Sequence, residues 1–276
     1  ADMTTDGCFV LGTAVSVTMA ASGHPFLAVP AAMAAGVCAG FVTAFQQTRL
    51  GVPSILAGII TNMGLYTINL MVMKWSANVS LLKTATIFSL FQATGIGGTW
   101  YKALLAGVVV ILAGILLVLF LGTRLGLSIR ATGDNIDMVR ASSVNPTFTI
   151  TVGLCVANAL TALSGAMVGQ YQNTADINGG TGIVVIGLAC LIIGETVLGR
   201  RSVVKGAVAA VLGSIIYRFI YAIVLYTKIM PVQGLKLVTA VIVALAIAFP
   251  TMKNWIAFQK RKNERKMAHR TKGGRA

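Results

Sequence analysis

The residues of this chain that could do chemistry are few, and they stand alone in apolar stretches. Asn62, Tyr66 and Asn69 follow i, i+4, i+7 spacing, which puts them on one face of a helix. Thr151, Asn158 and Thr161 make a looser stripe, and Asp176 sits in the polar segment QYQNTADINGG. Amides, phenols and hydroxyls of this kind hold and release hydrogen-bonding solutes; they do not make or break bonds. Two readings fit both stripes. They line a translocation path, or they are hydrogen-bond glue between membrane helices, where one bond contributes about 0.6 kcal/mol. Asp176 could contact a solute or a partner protein, or cap the segment that follows it. Glu195 and Arg218 are the two charges inside late apolar segments. Such charges pair with one another or face water, and both mutual pairing and a snorkelling Arg218 are open.

Enzyme chemistry has no foothold. No His, Cys or carboxylate cluster has catalytic spacing, so no catalytic residue and no bound cofactor is expected. Cys8, Cys38, Cys155 and Cys190 lie singly in apolar runs without CxxC spacing, which argues against a metal site and for small packing residues. Hydrophobic residues make up 56% and charged residues 11%, where a soluble domain carries about 25% charged residues. The chain is a polytopic helical membrane protein. Its formal charge of +15 does not indicate nucleic acid, because the basic residues lie in loops and the tail rather than interleaved with aromatics on one surface.

The elements that must position these residues are apolar runs long enough to cross a bilayer, which needs roughly 20 residues. Such runs cover residues 26–46, 53–73, 103–123, 147–169, 206–226 and 233–250, with shorter ones at 8–21 and 183–198. The expected fold is all-α, with about eight transmembrane or partly spanning helices within residues 1–250. A basic tail at 251–276 follows, with Glu264 its single acid. Residues 74–102 read as a connection with an interfacial helix over 81–91 and a glycine-rich turn at 95–98. Trp75, Trp100 and Tyr101 would sit there at headgroup level. The run at 8–21 is short for a span and the chain opens on Ala1, so an earlier helix is expected to precede it; no secretory signal is visible. GCFVLG at 7–12 echoes GIVVIG at 182–187, and the glycine spacing of 51–58 recurs at 199–206. Internal repeats build many transporters, and glycine spacing is also a general close-packing device.

Between two uncharged flanks lies a polar island, RLGLSIRATGDNIDMVRASSVNP, at residues 124–146. Gly133, Asp134 and Asn135 read as the cap of a short amphipathic helix carrying Ile136, Met138 and Val139, with Asn145-Pro146 as its stop. That helix plugs into a partner or lies along a membrane; a plain solvated loop is the competing reading. Threading the spans alternately puts most of the 22 Lys and Arg on one side. By the positive-inside rule this is the cytoplasm, and it holds the island and the tail.

Several blocks, in order, carry a resemblance: ADMTTDGCFVLGTA, LAGIITNMGLYTINL, RATGDNIDMVRASSVNP and GQYQNTADINGGTGIVVIGLACLIIGE. Together they resemble the permease subunits of bacterial ATP-binding-cassette importers of the branched-chain amino acid and ribose type, closest to the tryptophan and tyrosine importers. The resemblance covers nearly everything except the tail. It implies a non-catalytic subunit of the bacterial cell membrane, moving an aromatic or branched-chain amino acid. It also implies partners: a second permease as a homodimer, two cytoplasmic ATPases that hold ATP and Mg, and an extracytoplasmic substrate-binding protein. Residues 131–145 then correspond to the coupling helix that docks into the ATPase, with Arg130, Gly133, Asp134, Asn135, Ile136, Met138, Val139 and Arg140 as its contact set. Asn62, Tyr66, Asn69, Asn158 and Asp176 become the candidate path. Two departures stand out: Ser143 where relatives carry a glycine, and no helix ahead of ADMTTDG. The alternative is a self-contained secondary transporter coupled to an ion through Glu195, the only acid in a plausible place.

Overall fold

A computed structural model of the chain describes residues 2–81, 84–93, 100–142, 144–199 and 202–226, with four isolated positions between 240 and 248. The expected span at 233–250, the tail, the turn at 95–98, and Ser143, Arg200 and Arg201 lie largely or wholly outside these residues. Two units form, Ala1–Val184 and Val185–Ala276.

In the first unit the helices are α1 (Thr5–Ala21), α2 (Pro25–Thr48), α3 (Ser54–Val72), α4 (Ile87–Ala93), α5 (Tyr101–Gly122), α6 (Arg124–Asp134), α7 (Ile136–Ala141) and α8 (Pro146–Gln172). Next comes α9 (Ile183–Leu198), which starts in the first unit and continues into the second, where α10 (Val203–Tyr226) follows. Among the described residues α2, α3, α5, α8 and α10 are long and apolar enough to cross a membrane, while α1 and α9 are shorter apolar helices. The described residues are almost entirely helical, as an all-α membrane fold requires, with one pair of three-residue strands between connections. Strand β1 (Asn78–Ser80) pairs antiparallel with β2 (Thr174–Asp176), Val79 opposite Ala175. Two connections that leave long helices satisfy their backbone groups on each other.

The short α1 is the hub of the first unit. Cys8, Ala14, Val17 and Ala20 on it are fully buried. It runs parallel to α8 but beside only the C-terminal half of it. The Cys8 thiol donates to the Asn158 carbonyl at 3.3 Å, Thr13 Oγ1 to that of Gly165 at 3.1 Å and Ser16 Oγ to that of Ala166 at 3.2 Å. As α8 has 27 residues and is roughly 40 Å long, α1 begins about halfway along it. The backbones approach closely because glycines line the seam. A Cβ at Gly12 would fall on the Ala162 carbonyl, and one at Gly165 on that of Phe9. Small residues let membrane helices meet where no apolar side chain could intervene. Across this seam Cys8, Leu11, Ala39, Leu65 and Ala162 form one apolar cluster; Ala14, Val17, Met73, Leu81 and Ala175 belong to another.

Gln170 ties the far end together. Its Oε1 accepts from the Ile87 amide at 2.9 Å, and its Nε2 donates to Ser16 Oγ at 2.9 Å and the Pro25 carbonyl at 3.1 Å. In the second unit α9 and α10 pack by the same device: a Cβ at Gly194 would meet the Ala209 carbonyl and one at Gly213 that of Cys190.

Candidate functional site

Because α1 starts halfway along α8, its first turn faces a cavity lined by both polar and apolar side chains. The cavity has a volume of about 410 Å³ and is lined by Asp6, Asn62, Tyr66, Asn69, Asn178 and Thr181, among others. The i, i+4, i+7 stripe of α3 thus forms one wall as a group. Asn69 is buried, and its Nδ2 donates to the Gly7 carbonyl at 3.1 Å while its Oδ1 has no partner among the described residues. Asn62 Oδ1 lies against Gly7, where any side chain would collide with it. Tyr66 is half-exposed.

The opposite wall is the turn over residues 177–182. It comes back from β2 toward the start of α1, and Gly180 passes so close to the Asp6 carbonyl that a Cβ there would overlap it. Asp6 fastens this turn. Its Oδ2 accepts from the Gly182 amide and its Oδ1 from the Val184 amide, each at 3.0 Å. These amides open α9, so one carboxylate caps the first turn of one short helix while belonging to the first turn of another. Asp6 is not among the residues that the sequence singled out. The signal was present: an acid directly preceding an apolar run that echoes residues 182–187. The two echoing segments are the ones that Asp6 joins.

Two residues assigned to the path are not in this cavity. Asn158 is buried in the middle of α8, where its Nδ2 donates to Asp2 Oδ2 at 2.8 Å and to the Leu154 carbonyl at 3.1 Å. Its Nδ2 holds residue 2 beside α8, while its buried Oδ1 has no partner among the described residues. Asp176 is exposed, and its Oδ1 accepts from the Asn178 amide at 2.9 Å, a local turn contact that shapes the wall without lining it. Thr151 and Thr161 donate to carbonyls one turn back in α8, at 2.7 and 3.0 Å.

The polar island forms two helices, where one was expected. Thr123 caps α6, accepting from the Gly126 amide at 3.2 Å, and Thr132 on its buried side meets Thr149 of α8, Oγ1 to Oγ1, at 2.9 Å. Asp134 is the last residue of α6, so the cap of α7 is Asn135 alone, its Oδ1 accepting from the amides of Asp137 and Met138 at 3.0 Å. Asn145-Pro146 is not the stop of α7, which ends at Ala141; Asn145 caps α8 through the Thr147 amide at 3.0 Å, with Pro146 as the first residue. Val139 is buried within the chain, which removes it from any outward contact set. Arg130, Gly133, Asp134, Asn135, Ile136, Met138 and Arg140 are exposed. Arg140 pairs with Asp137 at 3.7 Å along the helix. Glu195 is half-buried on α9 and Arg218 exposed on α10, so Arg218 is not a charge buried within the chain. Among the described residues no group of His, Cys, Asp or Glu could hold a metal ion.

Residues 1–250 match the family described as branched-chain amino acid transport system, permease component. The chain belongs to this permease family. The permease is 32% identical over 248 residues to the tyrosine transport system permease protein of Clostridioides difficile (strain R20291), covering 90% of this chain and 81% of that one. It is 30% identical over 251 residues to an uncharacterised protein of Rickettsia prowazekii (strain Madrid E), covering 90% and 86%. No solved structure matches. A permease component is a transport subunit, which sets enzymatic readings aside and does not favour a self-contained secondary transporter coupled through Glu195.

Proposed function

We propose that the permease is the membrane subunit of an ATP-driven importer for an amino acid, an aromatic one by the likeness to a tyrosine transport permease. The observation that carries this is the family match across residues 1–250, whose relative of 32% identity is named for tyrosine transport. In this reading two copies pair in the bacterial cell membrane, two cytoplasmic ATPases bind ATP and Mg, and an extracytoplasmic protein delivers the solute. The one-sided cations support a cytoplasmic island and tail.

The exposed Met138 and Ile136 of α7 are the apolar residues offered to the ATPase, with Asn135 fixing the helix start and Arg140 at the rim. The cavity between α3 and the turn at 177–182 is a stretch of the path: its wall gathers two amides and a phenol on one face of a mostly apolar helix. Two measurements test this. Purification in mild detergent should bring down a separate ATPase, and its absence would sink the ATP-driven class. Asn62→Leu should cut uptake of L-tyrosine about tenfold in complexes that assemble normally, since a wall of the path has lost both its donor and its acceptor; unchanged uptake would make the stripe packing glue.

A further inference from the structure

In membrane transporters, helices that begin within the bilayer point their free amides at an anionic group of the solute. Here that position is already taken from within, because the Asp6 carboxylate occupies the amides of Gly182 and Val184 at the start of α9 and lies in the first turn of α1. An anion entering the cavity would find these donors used and a negative charge in front of them. What remains for a ligand is the free lone pairs of Asp6, since a carboxylate offers about four acceptor sites and two are filled, together with neutral groups that both donate and accept, the amides of Asn62 and Asn178 and the hydroxyls of Thr181 and Tyr66, so that Asp6 supplies the charge. A tyrosine face also attracts cations. Among the described residues none of the cavity's walls carries Lys, Arg or His, and no cation pairs with Asp6.

We infer that this cavity receives a small cationic group, an ammonium or a monovalent metal ion, with Asp6 as its counter-charge, and turns anions away. The inference rests on the reading of the cavity as part of the translocation path and deepens it. A zwitterionic solute would pass with its ammonium end toward Asp6, and an acid lacking the amine would be rejected. The charge is placed beside the middle of α8, an apolar helix long enough to cross a membrane, where a single carboxylate weighs heavily on what can enter.

The test reads charge directly. In the full-length chain in membranes, with the exposed Cys38→Ser, a thiol is introduced by Asn178→Cys and its reaction with a cationic trimethylammonium-ethyl methanethiosulfonate is compared with that of the anionic sulfonato-ethyl reagent. The cationic reagent should react about tenfold faster or more after correction for intrinsic reactivity, as expected for a thiol that shares a cavity with one carboxylate and no cation among the described residues. Asp6→Asn, which keeps one acceptor for the helix start, should bring the ratio near one, and Asp6→Glu should preserve it. Equal rates with Asp6 present overturn the inference without any need for the variants, and so does a ratio that survives Asp6→Asn. Protection of the thiol by L-tyrosine but not by NaCl or 4-hydroxyphenylpropionate assigns the ammonium of a solute. Protection by NaCl alone assigns a metal ion, and protection by the amine-free acid as strong as by L-tyrosine overturns the inference. A cavity outside the path would leave the charge ratio intact and L-tyrosine uptake by Asn62→Leu normal. A failed charge preference would leave the ratio at one while that variant stays slow.

Discussion

α1 and α5 are both apolar helices of this permease, and their fates are opposite. α5 is the more hydrophobic, with a mean hydropathy of 3.2 over its best window and not one buried residue. α1 is shorter, carries Thr13, Ser16 and Thr18, and is buried over most of its length. In water the greasier helix would be the core. In a bilayer the lipid is as apolar as leucine, so burial is decided by how closely backbones approach and how many hydrogen bonds they exchange. Gly12 and the hydroxyls of Thr13 and Ser16 give α1 both. Glycines occur in α5 too, at Gly107, Gly114 and Gly122, but nothing stands within 4 Å of where their Cβ atoms would be.

The sharpest way to break this comparison is to exchange glycines for leucine in each helix. Gly12→Leu should cost more than about 4 kcal/mol, because the new side chain starts on the backbone of Ala162 and neither helix can yield. It should leave no monodisperse protein in detergent by size exclusion. Gly114→Leu should change stability by less than about 0.5 kcal/mol. Comparable yields for the two would mean that the α1–α8 seam is not what holds the first unit.

A second test asks whether the exposed Met138 of α7 behaves differently from the exposed apolar residues of α5. Met138 is as exposed as the residues of α5, yet Met138→Asp should leave the permease folded and weaken ATPase co-purification by about 2 kcal/mol or more, the range of a central contact residue. Arg140→Ala, at the rim, should weaken it far less. Full ATPase recovery with Met138→Asp would remove α7 from the coupling role.

Gln170→Leu probes the polar side of the α1 neighbourhood. It strands the Ile87 amide and removes a donor to Ser16 Oγ, and should lower stability by about 1–3 kcal/mol, read as a fall in the thermal midpoint in nanodiscs. Smallest of all, Ile111→Ala on α5 removes a side chain that is 64% exposed and leaves no cavity, so the midpoint should move within about 0.5 kcal/mol.

Much of this was legible in the sequence because lipid imposes length and apolarity on every span. α2, α3, α5, α8 and α10 fall where the apolar runs put them, and the short run at 183–198 coincides with α9. The stripe Asn62, Tyr66, Asn69 could be read because a helix fixes which residues share a face. Asn158 could not be assigned the same way: its spacing matches a stripe, but its side chain is committed to Asp2, 156 residues away in sequence. Asp134 and Asn135 were equally good caps until the end of α6 claimed Asp134, and Val139 lies near the face of Ile136 by spacing yet packs inward.

By itself the sequence determined the class, the five long apolar helices among the described residues and the family, since these follow from hydropathy summed along the chain and from blocks that recur in relatives. Only the tertiary structure decided which apolar helix is the hub, and that Asp6 sits at a cavity wall with the amides of residues 182 and 184 in its grasp. The physical reason is range. Hydropathy and helical period act over neighbouring residues, whereas a carboxylate acquires its role from groups that the fold carries to it from more than 170 residues away.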